Sequence, residues 1–280
     1  MNATAAESAD GVPTAGSAGR ITRILTIGAR RGALELTQFM REREAVVFTF
    51  ALPFLVYAVF AITQTGDVML AGETIGHRQY MLPGILASAI LLTGFQSTAI
   101  GFAQDRASGA LLRLKTTPLH PVSYFVGKAI LVIVTSAVQI ALLLAFAAAL
   151  GVPAPRSWAL LVAVWLLGCL AGTTTGVALA TVLRSPRGAV ATVTGITLLL
   201  QFVCGGFLMF ASLPDWLQSA VGPLFATWIA RGMRAAVLPE RMAAAEPGGT
   251  WAIGVMGIVL VGWIVAGLAL SAWRFRWNRV

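Results

Sequence analysis

Six stretches of the sequence, roughly Ala45–Ile62, Tyr80–Ala103, Ser123–Leu150, Trp158–Leu183, Gly188–Phe210 and Trp251–Trp273, are almost uninterruptedly apolar, with no Asp, Glu, Lys or Arg in their cores. Each has about the 20 residues that an α-helix needs to cross the roughly 30 Å hydrocarbon core of a bilayer. Of the 280 residues, 58% are hydrophobic and only 11% charged, against about 25% charged in soluble domains. A water-soluble fold of this size could not hide so much apolar surface. The predicted fold class is an all-α membrane protein with six transmembrane helices. Pro53 falls inside the first span, where a neighbouring helix has to shelter the carbonyl it leaves free.

The chain is basic, with net charge +9, but its charges sit at the ends of apolar runs and not on a soluble module, which argues against nucleic-acid binding. They report orientation instead. If the N-terminus is cytoplasmic, the inner segments hold Arg20, Arg23, Arg30, Arg31, Arg41 and Arg43, then Arg106, Arg113, Lys115 and Lys128, then Arg184 and Arg187, and finally Arg274, Arg276 and Arg279. The outer segments hold Arg78, Arg156, Arg231, Arg234 and Arg241. This threefold bias satisfies the positive-inside rule. It predicts a multi-pass protein of the plasma or inner membrane with both termini cytoplasmic.

Residues 1–20, rich in Ala, Ser, Gly and Thr, are expected to form a disordered cytoplasmic tail and not a signal peptide, because they lack an apolar core. Residues 21–280 then form a single membrane domain. Within Ile21–Glu44, an apolar stripe through Ile21, Leu25, Gly28, Gly32, Leu36 and Phe39 lies apart from most of the arginines. That pattern predicts an amphipathic helix lying in the membrane interface ahead of the first span. In the fourth span, Gly168, Gly172 and Gly176 recur every four residues, a spacing that lets helices approach closely, most simply within one chain.

The sequence offers little for catalysis. No span core holds an ionisable group of the kind that proton-coupled carriers keep at mid-membrane. His77 and His120 fall on opposite sides, the carboxylates are scattered, and Asp67 and Glu73 read as a solvated loop pair. Cys169 and Cys204 lie in apolar runs and read as packing residues, with no metal site. Gly127-Lys128 is followed by Ala129 and lacks the upstream glycine of a phosphate loop. The longest soluble segment, Ala211–Thr250, is too short for an ATPase domain. The chain is therefore expected to be no enzyme and to bind no cofactor.

The loop between the second and third spans is the informative one. It contains Asp105-Arg106, Gly109, Leu111, Arg113, Leu114 and Thr117-Pro118. It predicts a short helix, Asp105–Thr117, with Asp105 near its start and Pro118 ending it. This pattern resembles the coupling helix of the ABC type-2 permease family, with Asp105 where Glu is commoner. Gly127-Lys128 is similar to the family's Gly-Lys at the start of the third span. Leu213-Pro214-Asp215-Trp216-Leu217, followed by Pro223 and Thr227, resembles its segment after the fifth span, which in relatives forms short external helices returning into the outer leaflet. The resemblance covers nearly the whole chain.

What the resemblance implies is a half-transporter, the permease subunit of an exporter. A second permease copy or a paralogue completes the membrane part, and a separate ABC ATPase subunit binds ATP and Mg. Asp105, Arg106, Gly109, Leu111, Arg113, Leu114, Thr117 and Pro118 would couple to that subunit, with Leu111 and Leu114 filling a groove and Arg106 and Arg113 making polar contacts. The translocation path would be lined by the second and fifth spans, through Phe95, Gln96, Gln201, Phe202 and Phe207. Aromatics and amides without charge suit a hydrophobic or amphipathic solute such as a drug, antibiotic or lipid, with a polysaccharide as the next choice. The alternative class is an ATP-independent channel or membrane scaffold.

Overall fold

A computed structural model describes residues 17–70, 72–110, 121–183, 185–207, 210 and 213–274. Among these, six helices are long and apolar enough to cross a membrane. An amphipathic helix, α1 (Ser17–Arg41), leads into the first span, α2 (Arg43–Thr63). A two-stranded hairpin, β1 (Asp67–Leu70) with β2 (Glu73–Gly76), follows where the sequence suggested only a loop. The second span, α3 (His77–Ala107), is one 31-residue helix with a π-helical turn at Leu91–Gln96. The third, fourth and fifth spans are α4 (Pro121–Ala149), α5 (Trp158–Val182) and α6 (Pro186–Val203). Two short helices, α7 (Asp215–Val221) and α8 (Phe225–Val237), precede the sixth span, α9 (Ile253–Arg274). Six spans place the start of α2 and the end of α9 at one face, the terminal face.

The fifth span ends seven residues before the expected boundary at Phe210. Gly205 takes a left-handed φ of +82°, and the N–H groups of Gly206 and Phe207 both turn back to the Gln201 carbonyl. Composition stays apolar through this turn, so hydropathy alone could not mark it.

Proline and helix ends leave backbone carbonyls that no bilayer water can satisfy. The Thr49 carbonyl, freed by Pro53, accepts from Gln139 Nε2 of the third span at 2.6 Å. At the face opposite the termini, Arg78 donates to the Ala61 carbonyl at 2.9 Å and reaches the Leu150 carbonyl at 3.5 Å, closing the ends of α2 and α4.

The fourth span is the centre of the bundle, packed against α9, α3, α8 and α4. The glycine stripe makes this possible. A Cβ on Gly176 would lie 2.6 Å from the Phe95 carbonyl, and one on Gly172 would lie 3.1 Å from the Gly94 carbonyl carbon and the Phe95 nitrogen. Gly168 faces Ile229 and Ile90. The stripe therefore packs within the chain, against the π-turn of the second span, where the widened backbone would collide with any side chain.

Helix α8 does not lie on the surface. Every residue from Phe225 to Val237 except Trp228 is buried, including Arg231 and Arg234. Arg234 holds Glu246 through two bonds, 2.5 and 3.2 Å, and donates to the Gly205 carbonyl at 3.0 Å. Arg231 donates to the Pro247 carbonyl at 2.8 Å and to the Thr250 carbonyl, and its Nε lies 3.5 Å from Glu246. Burial lowers the pKa of Arg231 below the ordinary arginine value, with Glu246 opposing the shift. A small cluster of Ile75, Leu238, Met242 and Trp251 seals the hairpin to this region, and Arg241 pairs with Glu73 at 2.8 Å.

Gly176→Ala is expected to lower the thermal unfolding midpoint of the detergent-purified chain, through overpacking of about 1–3 kcal/mol. Gly195→Ala, at a position where nothing lies within 4 Å, is expected to leave it unchanged. Equal midpoints for the two variants would contradict the close approach of α3 and α5.

Candidate functional site

Two groups of residues at the bundle's edges have the makings of function. One surrounds the stem of the loop between the second and third spans; the other is a groove between the first, second and fifth spans.

The stem begins one turn earlier than the sequence suggests. Asp105 and Arg106 lie in the last turn of α3 and not at the start of a new helix, and the helix stops at Gly109, whose φ is +71°. A glycine in the left-handed region is the usual helix terminator. A carboxylate at a helix C-terminus meets the negative end of the dipole, so Asp105 needs other partners. Tyr124 donates its hydroxyl to Asp105 at 2.9 Å, and Lys128 Nζ lies 3.2 Å from the same carboxylate oxygen. Both come from the first turns of α4, which at 29 residues is about 43 Å long and outreaches the hydrocarbon core.

Lys128 also lies 3.2 Å from Glu35 of α1, which accepts from Arg31 Nε at 3.1 Å. The Arg31 guanidinium sits 4.6 Å from the centre of the Tyr124 ring, a cation–π contact. Two cations balance two carboxylates, as a mostly buried cluster requires. The close fit behind it depends on Gly28 and Gly32, against Val126 and Ile130: a Cβ at either would collide. Helix α1 is thus clamped to the third span, with Arg31 turned toward the Tyr124 ring.

Arg106 points the other way. It donates to the Thr181 carbonyl at 3.4 Å and to the Leu183 carbonyl, satisfying the end of the fourth span. The polar contact expected of Arg106 is made within the chain. One turn of α3 thereby ties α1, α4 and α5 together at the point where the loop emerges. The other coupling candidates, Leu111, Arg113, Leu114, Thr117 and Pro118, lie outside the described residues.

Of the five path candidates, three meet. Gln201, Phe202 and Phe207 line a cavity of about 310 Å³ together with Pro53 and Phe60 of the first span and Ser88 of the second. The Phe207 ring lies 5.4 Å from Phe202 and 6.4 Å from Phe60. Gln96 is half-buried, its amide 3.5 Å from the Thr194 hydroxyl. Phe95 is buried in the interior, 5.6 Å from the Phe225 ring and away from this groove. The first-span wall of the groove, and the roles of Lys128, Glu35 and Tyr124, had no sequence signal beyond the Arg31/Glu35 spacing and the Gly127-Lys128 pair. The described residues contain no group of three or more metal-ligating side chains.

Lys128→Met is expected to leave Glu35 and Asp105 without their shared cation and to loosen α1. The cost should be about 1–3 kcal/mol, below that of a fully buried pair because the Asp105 side chain is 29% exposed. Limited proteolysis within residues 17–41 should accelerate, and adding Glu35→Gln and Asp105→Asn should restore most of the protection. Unchanged proteolysis of Lys128→Met would refute the clamp.

A family model described as "ABC-2 family transporter protein" matches residues 61–269, from the end of the first span into the sixth. No curated protein matches the chain.

Proposed function

Because the chain belongs to the ABC-2 family of transporter proteins and is a membrane-spanning permease component, we propose that it forms half of an ATP-driven exporter for a hydrophobic or amphipathic solute. A separate ATPase subunit, carrying ATP and Mg, docks on the terminal face, which is cytoplasmic. A second copy or a paralogue supplies the other half of the path in the plasma or inner membrane. Drugs, antibiotics and lipids are the solute classes that an uncharged, aromatic groove suits.

One observation carries this reading: both stems of the segment 111–120 are anchored. On the upstream side, Asp105 is held by Lys128 and Tyr124, and Arg106 by the end of the fourth span. On the downstream side, Lys128 and Tyr124 are themselves the first turns of α4. A push that reaches either stem is delivered to three spans and α1 together. Such a push changes the transport state only if the ATPase contacts the two states differently. ATP binding, which draws two ATPase subunits together, supplies that difference.

The test is co-purification with the ATPase, followed by export and hydrolysis measured on the same reconstituted complex. Arg106→Met removes the tie to the fourth span without placing a negative charge beside its carbonyls. The variant should retain the ATPase and its hydrolysis while losing export per ATP by about tenfold, as expected for loss of a coupling free energy of roughly 1–3 kcal/mol. A wild-type export-to-hydrolysis ratio would overturn the coupling role, and a chain that never captures an ATPase would favour an ATP-independent channel.

A further inference from the structure

We infer that the groove between the first, second and fifth spans binds a neutral, lipophilic molecule that carries a hydrogen-bond acceptor, and that the side-chain amide of Gln201 recognises the acceptor. The binding claim stands on the groove itself; that the bound molecule is then exported rests on the function proposed above.

Its volume, about 310 Å³, falls at the lower end of the roughly 300–1,000 Å³ typical of small-molecule sites. No charged side chain lines it among the described residues, so an ionic ligand would lose its hydration with nothing to replace it. Two polar side chains do line it, Ser88 at 3% exposure and Gln201 at 4%. Among the described residues, neither Ser88 Oγ nor Gln201 Nε2 has a hydrogen-bond partner. Buried polar atoms are normally paired, and an orphan calls for an explanation.

The Gln201 backbone carbonyl is already taken by the N–H groups of Gly206 and Phe207. Some mid-span hydroxyls, such as those of Thr93, Thr135 and Thr197, donate back to the preceding turn, whereas Ser88, like Thr98 and Thr173 elsewhere in the bundle, has no partner among the described residues. A Cβ at position 206 would stand 3.0 Å from Ser88 Oγ, so glycine there keeps that hydroxyl uncrowded. Water is a poor tenant for a cavity whose walls are otherwise aliphatic and aromatic.

Chemistry narrows the ligand. An amide nitrogen only donates, so the ligand must accept, as ester, amide and ketone carbonyls do. The remaining walls, from Pro53, Phe60, Phe202 and Phe207, fit an apolar body. Two lining residues, Leu198 and Phe202, are 50% and 47% exposed on the span surface, so the groove opens outward from the bundle. The same chemistry could come from a resident lipid's ester or from a dissolved solute.

The test uses the full chain without any ATPase, in nanodiscs of ether-linked phospholipid, which has no carbonyl. Two photoprobes of equal length are compared, a diazirine-bearing fatty-acid methyl ester and the matching diazirine hydrocarbon. The ester should label the Leu198–Phe207 peptide about five- to tenfold more strongly, the preference expected of one neutral hydrogen bond. Gln201→Leu should reduce ester labelling to the hydrocarbon level while hydrocarbon labelling, which reports a folded groove, stays the same. Equal labelling by both probes, label spread over all spans, or an ester preference that survives Gln201→Leu would overturn the proposal. Repeating the labelling in ester-lipid discs separates the sources. Loss of label there assigns the acceptor to resident lipid, retention assigns it to a solute, and either result upholds the site. Because no nucleotide is involved, failure here leaves the ATPase-coupled reading standing, and the converse also holds.

Discussion

A bilayer offers the backbone no hydrogen bonds, and that constraint governs this structure. Each carbonyl released by a proline or a helix end has to find a donor carried by the chain itself. The chain answers with long side chains reaching across helices: Gln139 to Thr49, Arg78 to Ala61 and Leu150, Arg106 to Thr181 and Leu183. These bonds satisfy the backbone and also decide which helices move together. Arg78 unites the first and third spans at one face, and Arg106 unites the second and fourth at the other.

The second force is close packing, since lipid gives helices no hydrophobic reason to associate. Glycine appears where backbones meet: Gly172 and Gly176 against the π-turn of the second span, and Gly28 and Gly32 against the third span. A π-turn is a frequent companion of functional positions. Here it ends at Gln96, whose amide lies 3.5 Å from the Thr194 hydroxyl, and it packs between the central fourth span and the fifth. The loop stem combines both forces, because the glycine contact of α1 brings Glu35 within reach of Lys128, and Lys128 in turn reaches Asp105.

The spans were legible because a 20-residue apolar run has few other uses, and the fourth-span glycines because their four-residue spacing is a packing signal. The rest depended on pairings across long sequence distances. Nothing local links Arg31 to Tyr124, Asp105 to Lys128, or Phe60 to Phe207. The dipeptide Asp105-Arg106 reads from sequence as a helix start but ends one, because the apolar run stops at Ala103 while the helix continues to Ala107. The hairpin Asp67–Gly76 has no alternating apolar residues to mark it, and nothing marks Glu246, because its two arginine partners lie on a helix between the fifth and sixth apolar runs.

The proposed coupling role requires the loop stem to face the cytoplasm. The two native cysteines are free and buried, at 1% exposure each, so a single introduced cysteine can be read against a low background. With a membrane-impermeant maleimide on intact cells, Ala244→Cys on the face opposite the termini should label at once, and Ala107→Cys at the stem should label only after permeabilisation. Labelling of Ala107→Cys from outside would place the stem where no cytoplasmic ATPase could reach it, and the coupling role assigned to it would be wrong.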